Sequence, residues 1–391
     1  MRSTAAFQSI EDRSTNENPN TSRRLMSESP VTIAGIATAV PPHVFGREEV
    51  RAYLNKVFPL SEARTAMMLE VIDNAKIEQR YCVFPLDYLI EPRPLSQITL
   101  EYQEHAVALA RRAAEECLDR AGLAASEIDL IITVSCTGVL LPSTGAHLVN
   151  QMGFRPDVRR LPITELGCAG GAAALGRAWD YLRGVPEGNV LVIAVELPSL
   201  TFQRRDLSPA NLISAILFGD GAAAVALTRR ANSEEFSTER APGSVVRPRI
   251  IDVRSHLFPN SLDALGFDLK ETGFHIVLSK DMPQLVREEI GGLVDELIAV
   301  HGLLREDLTA YILHPGGQKL LVYIEEELGL SRTKTQPSWD VLKKYGNQSS
   351  ASVLFVLHEW ITKARMSPGD YGFLAAFGPG FSTDMALLQW T

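Results

Sequence analysis

One order of sequence patterns occurs twice along this chain. In the first half a helix-like stretch, EYQEHAVALARRAAEECLDRAG, leads into the strand pattern DLIITVSCTG and a second helical segment. A Gly-Cys helix start (GCAGGAAALGRAWDYL) and the strand patterns NVLVIAVE and GAAAVALT follow. In the second half MPQLVREEIGGLVDELIAVHG leads into LTAYILHPGG and the helix pattern QKLLVYIEEELGL. A Gly-Asn helix start (GNQSSASVLFVLHEWI) and the strand patterns YGFLAAFG and DMALLQW complete it. A repeat on this scale restricts the fold to two copies of one α/β unit.

The helices that begin after Gly167 and Gly346 are small or apolar on nearly every face, so both belong inside the molecule. Two such helices packed between two sheets predict an αβαβα sandwich of two duplicated halves. The halves are placed at 31–240 and 241–391, after a polar tail over 1–30 that reads as disordered.

A pseudo-twofold between the halves makes equivalent positions face each other. Cys168 and Asn347 follow the matched glycines, and His314 ends YILHPGG much as Cys136 ends ITVSCTG. A thiol, an imidazole and a carboxamide therefore converge. Free N–H groups at a helix start and a nearby imidazolium are expected to stabilise a thiolate at Cys168. Taken singly, a buried cysteine or histidine is more often a core residue; the matched placement in the repeat is what favours chemistry. LFGDG (217–221) and AFGPG (376–380) read as tight turns, since their spacing is not that of a phosphate-binding loop.

Composition excludes several classes. Net charge is −9 and the basic residues are scattered, which removes the footprint of a nucleic-acid binder. Four cysteines without close pairing and eight dispersed histidines give neither a disulfide framework nor a metal site. No apolar run is long enough to span a bilayer and no signal-peptide pattern opens the chain, so a cytoplasmic location is expected.

With these residues in view, the chain resembles the type III polyketide synthases of the bacterial type, chalcone synthase relatives within the thiolase superfamily. The resemblance runs from about Val31 to Thr391 and is carried by GCAGG, LFGDGAAA, HPGGQKLL, YGNQSSASVLFVL and GFLAAFGPGFSTDMALL. It implies a homodimeric decarboxylating acyltransferase with no cofactor or metal. Its substrates would be malonyl-CoA and an acyl-CoA or acyl-carrier thioester.

In that scheme Cys168 takes the starter acyl group as a thioester and His314 pairs with its thiolate. His314 and Asn347 hydrogen-bond the malonyl thioester carbonyl, and loss of CO₂ leaves an enolate that attacks the Cys168 thioester. Phe218 matches a phenylalanine that gates the pocket, and Pro379 a loop that shapes the cyclisation cavity. Thr137, Thr201 and Ser349 are further pocket residues.

The chain departs from the plant enzymes at Cys136 and Pro198, where they carry threonine, and at Ala376, where glycine is usual. Ile276 takes the place of a second gating phenylalanine, which would widen the mouth; a two-residue slip would put Phe274 there instead. Met67, Glu70 and Asn74 stand where basic residues hold the coenzyme A phosphates. Either other basic residues replace them, or an acyl-carrier protein or fatty acid synthase delivers the starter.

The less polar pocket points to a medium or long fatty acyl starter and an alkylpyrone or alkylresorcinol product. The alternatives are a chalcone- or tetrahydroxynaphthalene-type synthase with another starter, an initiating β-ketoacyl-acyl-carrier-protein synthase, a papain-like Cys-His-Asn hydrolase, and a scaffold with a decayed site.

Overall fold

A computed structural model describes residues 30–229, 246–363 and 366–391. The tail, except for Pro30, and the boundary at 240/241 lie outside the described residues.

Chain order in the first half begins with β1 (Val31–Ala39), β2 (His43–Gly46), α1 (Arg47–Val57), α2 (Glu62–Asn74), β3 (Gln79–Cys82) and a single helical turn, α3 (Leu86–Leu89). Next come α4 (Leu95–Ala121), β4 (Leu130–Val134), α5 (Thr144–Gln151), β5 (Arg159–Ile163), α6 (Gly170–Gly184), β6 (Asn189–Glu196), α7 (Pro209–Leu217) and β7 (Gly221–Thr228). The second half runs β8 (Pro248–Leu257), the hairpin β9 (Leu265–Lys270) and β10 (Gly273–Leu278), α8 (Met282–Ala299), β11 (Leu308–Leu313), α9 (Gln318–Leu328) and α10 (Gln336–Tyr345). It closes with α11 (Ser352–Thr362), β12 (Tyr371–Gly378) and β13 (Ser382–Trp390).

The strand order, β11-β12-β13-β8-β1-β7-β6-β4-β5, is a palindrome about the β8-β1 pair once the edge strand β5 is set aside. In each half one matched pair runs parallel (β4 with β6, β11 with β12) and the next strands pair antiparallel (β6-β7-β1, β12-β13-β8); β5, parallel to β4 at the edge, lacks a counterpart. The halves meet where β1 pairs antiparallel with β8, Val31 opposite Ile250 and Thr32 opposite Arg249. The two expected sheets are thus one continuous ribbon, because the first strand of each half leaves an open edge that the other satisfies.

The helices α6 and α11 fill the space between the two arms of the ribbon. Leu175 and Leu182 of α6 share one buried cluster with Val353, Leu354 and Leu357 of α11 and with residues of both arms. Close approach requires the glycine: a Cβ on Gly171 would lie 2.2 Å from the Ser350 carbonyl oxygen. On the outer faces, α4 packs an alanine-rich stripe (Ala106, Ala110, Ala113) against the first arm, and α8 and α9 cover the second. The result is the five-layered αβαβα sandwich.

Candidate active site

Both glycines that precede the matched residues are left-handed, Gly167 at φ 47° and Gly346 at φ 68°. A Cβ on Gly167 would meet Pro379 Cδ at 2.4 Å, so the glycine lets the AFGPG turn close over Cys168. Cys168 itself lies on a 3-10 turn, Gly167–Ala169, one turn ahead of α6. Across the pseudo-twofold, Asn347 N–H donates to Leu217 O at 2.8 Å and Gly219 N–H to Asn347 O at 3.0 Å. Phe218 is therefore locked to the backbone of Asn347. His314 follows β11, its N–H donating to Ala375 O at 2.9 Å.

Side chains from both halves meet at Cys168. Its Sγ lies 3.4 Å from Ser349 Oγ, which also stands 3.3 Å from Cys136 Sγ. Ser349 is held at φ 49°, a left-handed conformation costly for a residue with a side chain. Asn347 Nδ2 donates to Gly316 O at 3.3 Å, and its Oδ1 accepts from Ser349 N–H at 2.8 Å. The His314 Nδ1 is buried without a hydrogen-bond partner, and among the described residues no hydrogen bond joins its ring to Cys168 or Asn347.

The expected stabilisation of a thiolate is not what this environment provides. Burial pushes the Cys168 thiol up to about 12; the Ser349 hydroxyl offsets this in part and the Glu196 carboxylate adds to it. Burial also pushes the His314 imidazole down to about 3. Removal from water outweighs the N–H groups of the turn and favours the neutral thiol and the neutral imidazole over the ion pair.

Glu196, the last residue of β6, was not singled out by the sequence reasoning. Its carboxylate is fully buried and accepts from Thr137 Oγ1 at 2.7 Å, Ser350 Oγ at 2.5 Å, Ser135 Oγ at 3.1 Å and the N–H groups of Cys136 and Thr137. Burial raises its pKa against these donors. The available signal was one acidic residue closing an otherwise apolar strand, NVLVIAVE. Asp220, in LFGDG, does similar work: it accepts from Val83 N–H and from Ser199 N–H and Oγ, tying the turn after Phe218 to the pocket wall.

One cavity opens beside Cys168. It is lined by Cys136, Thr137, Pro198, Thr201, Phe218, Ile276, Ser349 and Pro379, all eight of the expected pocket residues; His314 and Asn347 do not line it. Ala376 is buried within β12. Phe274 and Ile276, two residues apart on β10, both face the cavity, and the Phe274 ring meets Phe267 edge-on at 5.6 Å. Aromatic side chains, Phe267 and Phe274, therefore stand at this wall beside Ile276. Met67, Glu70 and Asn74 form an exposed stripe on α2 without a cation.

Among the described residues the four cysteines are free, no group of His, Cys, Asp or Glu is arranged to hold a metal ion, and no helix is long and apolar enough to cross a membrane.

The model of the chalcone and stilbene synthases, N-terminal domain, matches residues 18–229, and that of the C-terminal domain matches residues 250–390. The chain is 37% identical over 368 residues to a 1,3,6,8-tetrahydroxynaphthalene synthase of Streptomyces peucetius, covering 94% of this chain and 95% of that one. It is 28% identical to an α-pyrone synthesis polyketide synthase-like protein, Pks18, of Mycobacterium tuberculosis, with 92% of each chain covered. Among solved structures, the tetrahydroxynaphthalene synthase of Streptomyces coelicolor, a bacterial type III polyketide synthase, superposes with a TM-score of 0.85. It is 33% identical, covering 92% of this chain and 99% of that one.

Proposed function

The chain belongs to the chalcone and stilbene synthase family and is a type III polyketide synthase, a decarboxylating condensing acyltransferase, and from that premise we propose that it primes Cys168 with a medium or long fatty acyl group and makes an alkylpyrone or alkylresorcinol. The observation that carries the starter assignment is the cavity wall. Apolar side chains of α1, α3 and α7 continue the pocket away from Cys168, and Arg80, the one charged residue on that wall, is turned to the Ile216 carbonyl.

In this reading the neutral His314 imidazole accepts the Cys168 proton as the starter thioester arrives, so charge forms only when the acyl group is in place to use it. The acyl carbonyl carbon bonds to Sγ and the carrier thiol leaves. Asn347 and His314 then stabilise the enolate left when malonyl thioester loses CO₂. As the enolate carbon bonds to the acyl carbon, the C–S bond to Cys168 breaks and the extended chain passes to the second thioester. Phe218 and its apolar neighbours disfavour a free carboxylate at the point of decarboxylation. Asn347 spends its side chain on Gly316 O and Ser349 N–H rather than on orienting His314, which argues against the papain-like alternative.

Delivery by a carrier protein or fatty acid synthase accords with the lack of a cation in the Met67, Glu70 and Asn74 stripe on α2. A homodimer accords with the open edge of β5 and with Leu141, 94% exposed in the loop that leaves the neighbouring β4; light scattering in solution tests it.

The tetrahydroxynaphthalene synthases among the relatives favour a second reading, a malonyl-primed synthase whose product is a small polyphenol without an alkyl tail. Incubation with malonyl-CoA and acyl-CoAs of increasing length, followed by product mass, separates the two. Products that carry the offered acyl chain support the fatty-acyl reading. A product set that ignores every acyl-CoA supports the second.

A further inference from the structure

The cavity beside Cys168 extends well past the starter pocket. Val50, Tyr53, Leu54 and Val57 of α1 line it at i, i+3, i+4 and i+7, so one stripe of the helix borders the cavity while Leu54, Val50 and Val57 also pack against the buried cluster behind it. Leu89 and Ile90, at the end of α3, face that stripe from the other side.

At the surface the two elements are joined by Lys56 and Asp87, which do not line the cavity, beside Tyr53, which does. Lys56 Nζ reaches Asp87 Oδ1 at 2.5 Å and stands 4.7 Å from the centroid of the Tyr53 ring. Lys56 and then Tyr53 hold the Asp87 carboxyl below its usual range. The side chains of Lys56 and Asp87 are 54% and 68% exposed, so water competes for both, and an ion pair of this kind holds weakly.

We propose that the contact between α1 and α3 sets the length of acyl chain the enzyme accepts: the alkyl tail lies along the apolar stripe of α1, and the Lys56–Asp87 pair with Tyr53 closes its far end. The assignment rests on the fatty-acyl reading above. A tail that reaches this closure gains burial with each methylene, about fourfold in affinity apiece; a longer tail must break the ion pair or fold back. The weakness of the pair makes the limit a soft one.

The test is a kcat/KM profile over saturated acyl-CoAs of increasing length, with malonyl-CoA fixed, for the wild type, Asp87→Ala and Val57→Phe, each checked for a cooperative melt. Asp87→Ala is expected to move the optimum to longer chains, raising the ratio of long-chain to short-chain kcat/KM. Val57→Phe is expected to lower the ratio of long-chain to short-chain kcat/KM about fourfold for each methylene displaced. If the wild type shows a chain-length optimum and neither variant moves it, the chain-length assignment is wrong and the fatty-acyl reading stands. If the wild type uses no acyl-CoA at all but still decarboxylates and condenses malonyl-CoA, both are wrong.

Discussion

The thiol of Cys168 lies 3.4 Å from the hydroxyl of Ser349, a residue supplied by the other half of the duplicated fold. The same oxygen stands 3.3 Å from Cys136 Sγ, so one hydroxyl bridges the expected nucleophile and a wall of the pocket. Ser349 stabilises the charged form of Cys168 against the effect of burial. Ser349→Ala is therefore expected to slow single-turnover acylation of Cys168 about fivefold, the worth of one hydrogen bond of about 1 kcal/mol. An acylation rate equal to the wild type would show that the bridge has no part in forming the thiolate.

Glu196 gathers donors from both halves, Thr137 on one side and Ser350 on the other. A glutamine there accepts at one terminal atom only, so the hydroxyl facing its amide nitrogen must turn from donor to acceptor or go unpaired. Glu196→Gln is expected to cost about 1–3 kcal/mol in urea unfolding. An unchanged midpoint and slope would mean that the donors find other acceptors.

Contact between α6 and the turn before α11 is set by Gly171, whose added Cβ would lie 2.2 Å from backbone oxygen, whereas Gly184 at the end of α6 has nothing within 4 Å. Gly171→Ala should destabilise the protein by about 1–3 kcal/mol, and Gly184→Ala should be neutral or stabilising by about 0.5 kcal/mol. Scanning calorimetry of the two variants reads the difference; equal melting temperatures would contradict the packing described for the central helices.

Acid stability isolates His314. The folded imidazole titrates near 3 and the unfolded one near 6.5, so on acidification the unfolded chain binds the proton first. Stability is lost as pH falls from about 6.5 toward 3, by about 1.4 kcal/mol per pH unit inside that window. His358, held down to about 4 mainly by burial, adds a slope of the same sign that persists in a His314 variant. Unfolding free energies measured from pH 7 to 4 should therefore fall less steeply in His314→Gln than in the wild type. Parallel slopes would mean that the imidazole is already charged in the folded protein.

Much of this architecture was legible in the sequence because buried strands carry continuous apolar runs. NVLVIAVE is β6 and YGFLAAFG is β12, each end to end, and the matched glycines did mark where Cys168 and Asn347 are presented. The short strand pair β2-β3, the hairpin β9-β10 and the helix α7 were missed, since they are brief and partly exposed and have no counterpart in the repeat. β8 alternates polar and apolar residues (PRIIDVRSHL), and its pairing with β1 depends on a long-range register that no local pattern encodes. The thiol's environment was misjudged for a related reason. A helix start is visible in GCAGG, but the burial that outweighs it depends on parts of the chain far away in sequence, the half that also supplies Ser349, 181 positions on, among them.

The most direct measurement is the intact mass of the protein after incubation with one long-chain acyl-CoA in the absence of malonyl-CoA, followed by peptide mapping. The wild type should gain a single acyl group, located on the peptide that contains Cys168, and Cys168→Ala should gain none although Cys136 is retained. An acyl adduct that survives in Cys168→Ala, or that maps to Cys136 in the wild type, would contradict the assignment of Cys168 as the residue that carries the growing chain.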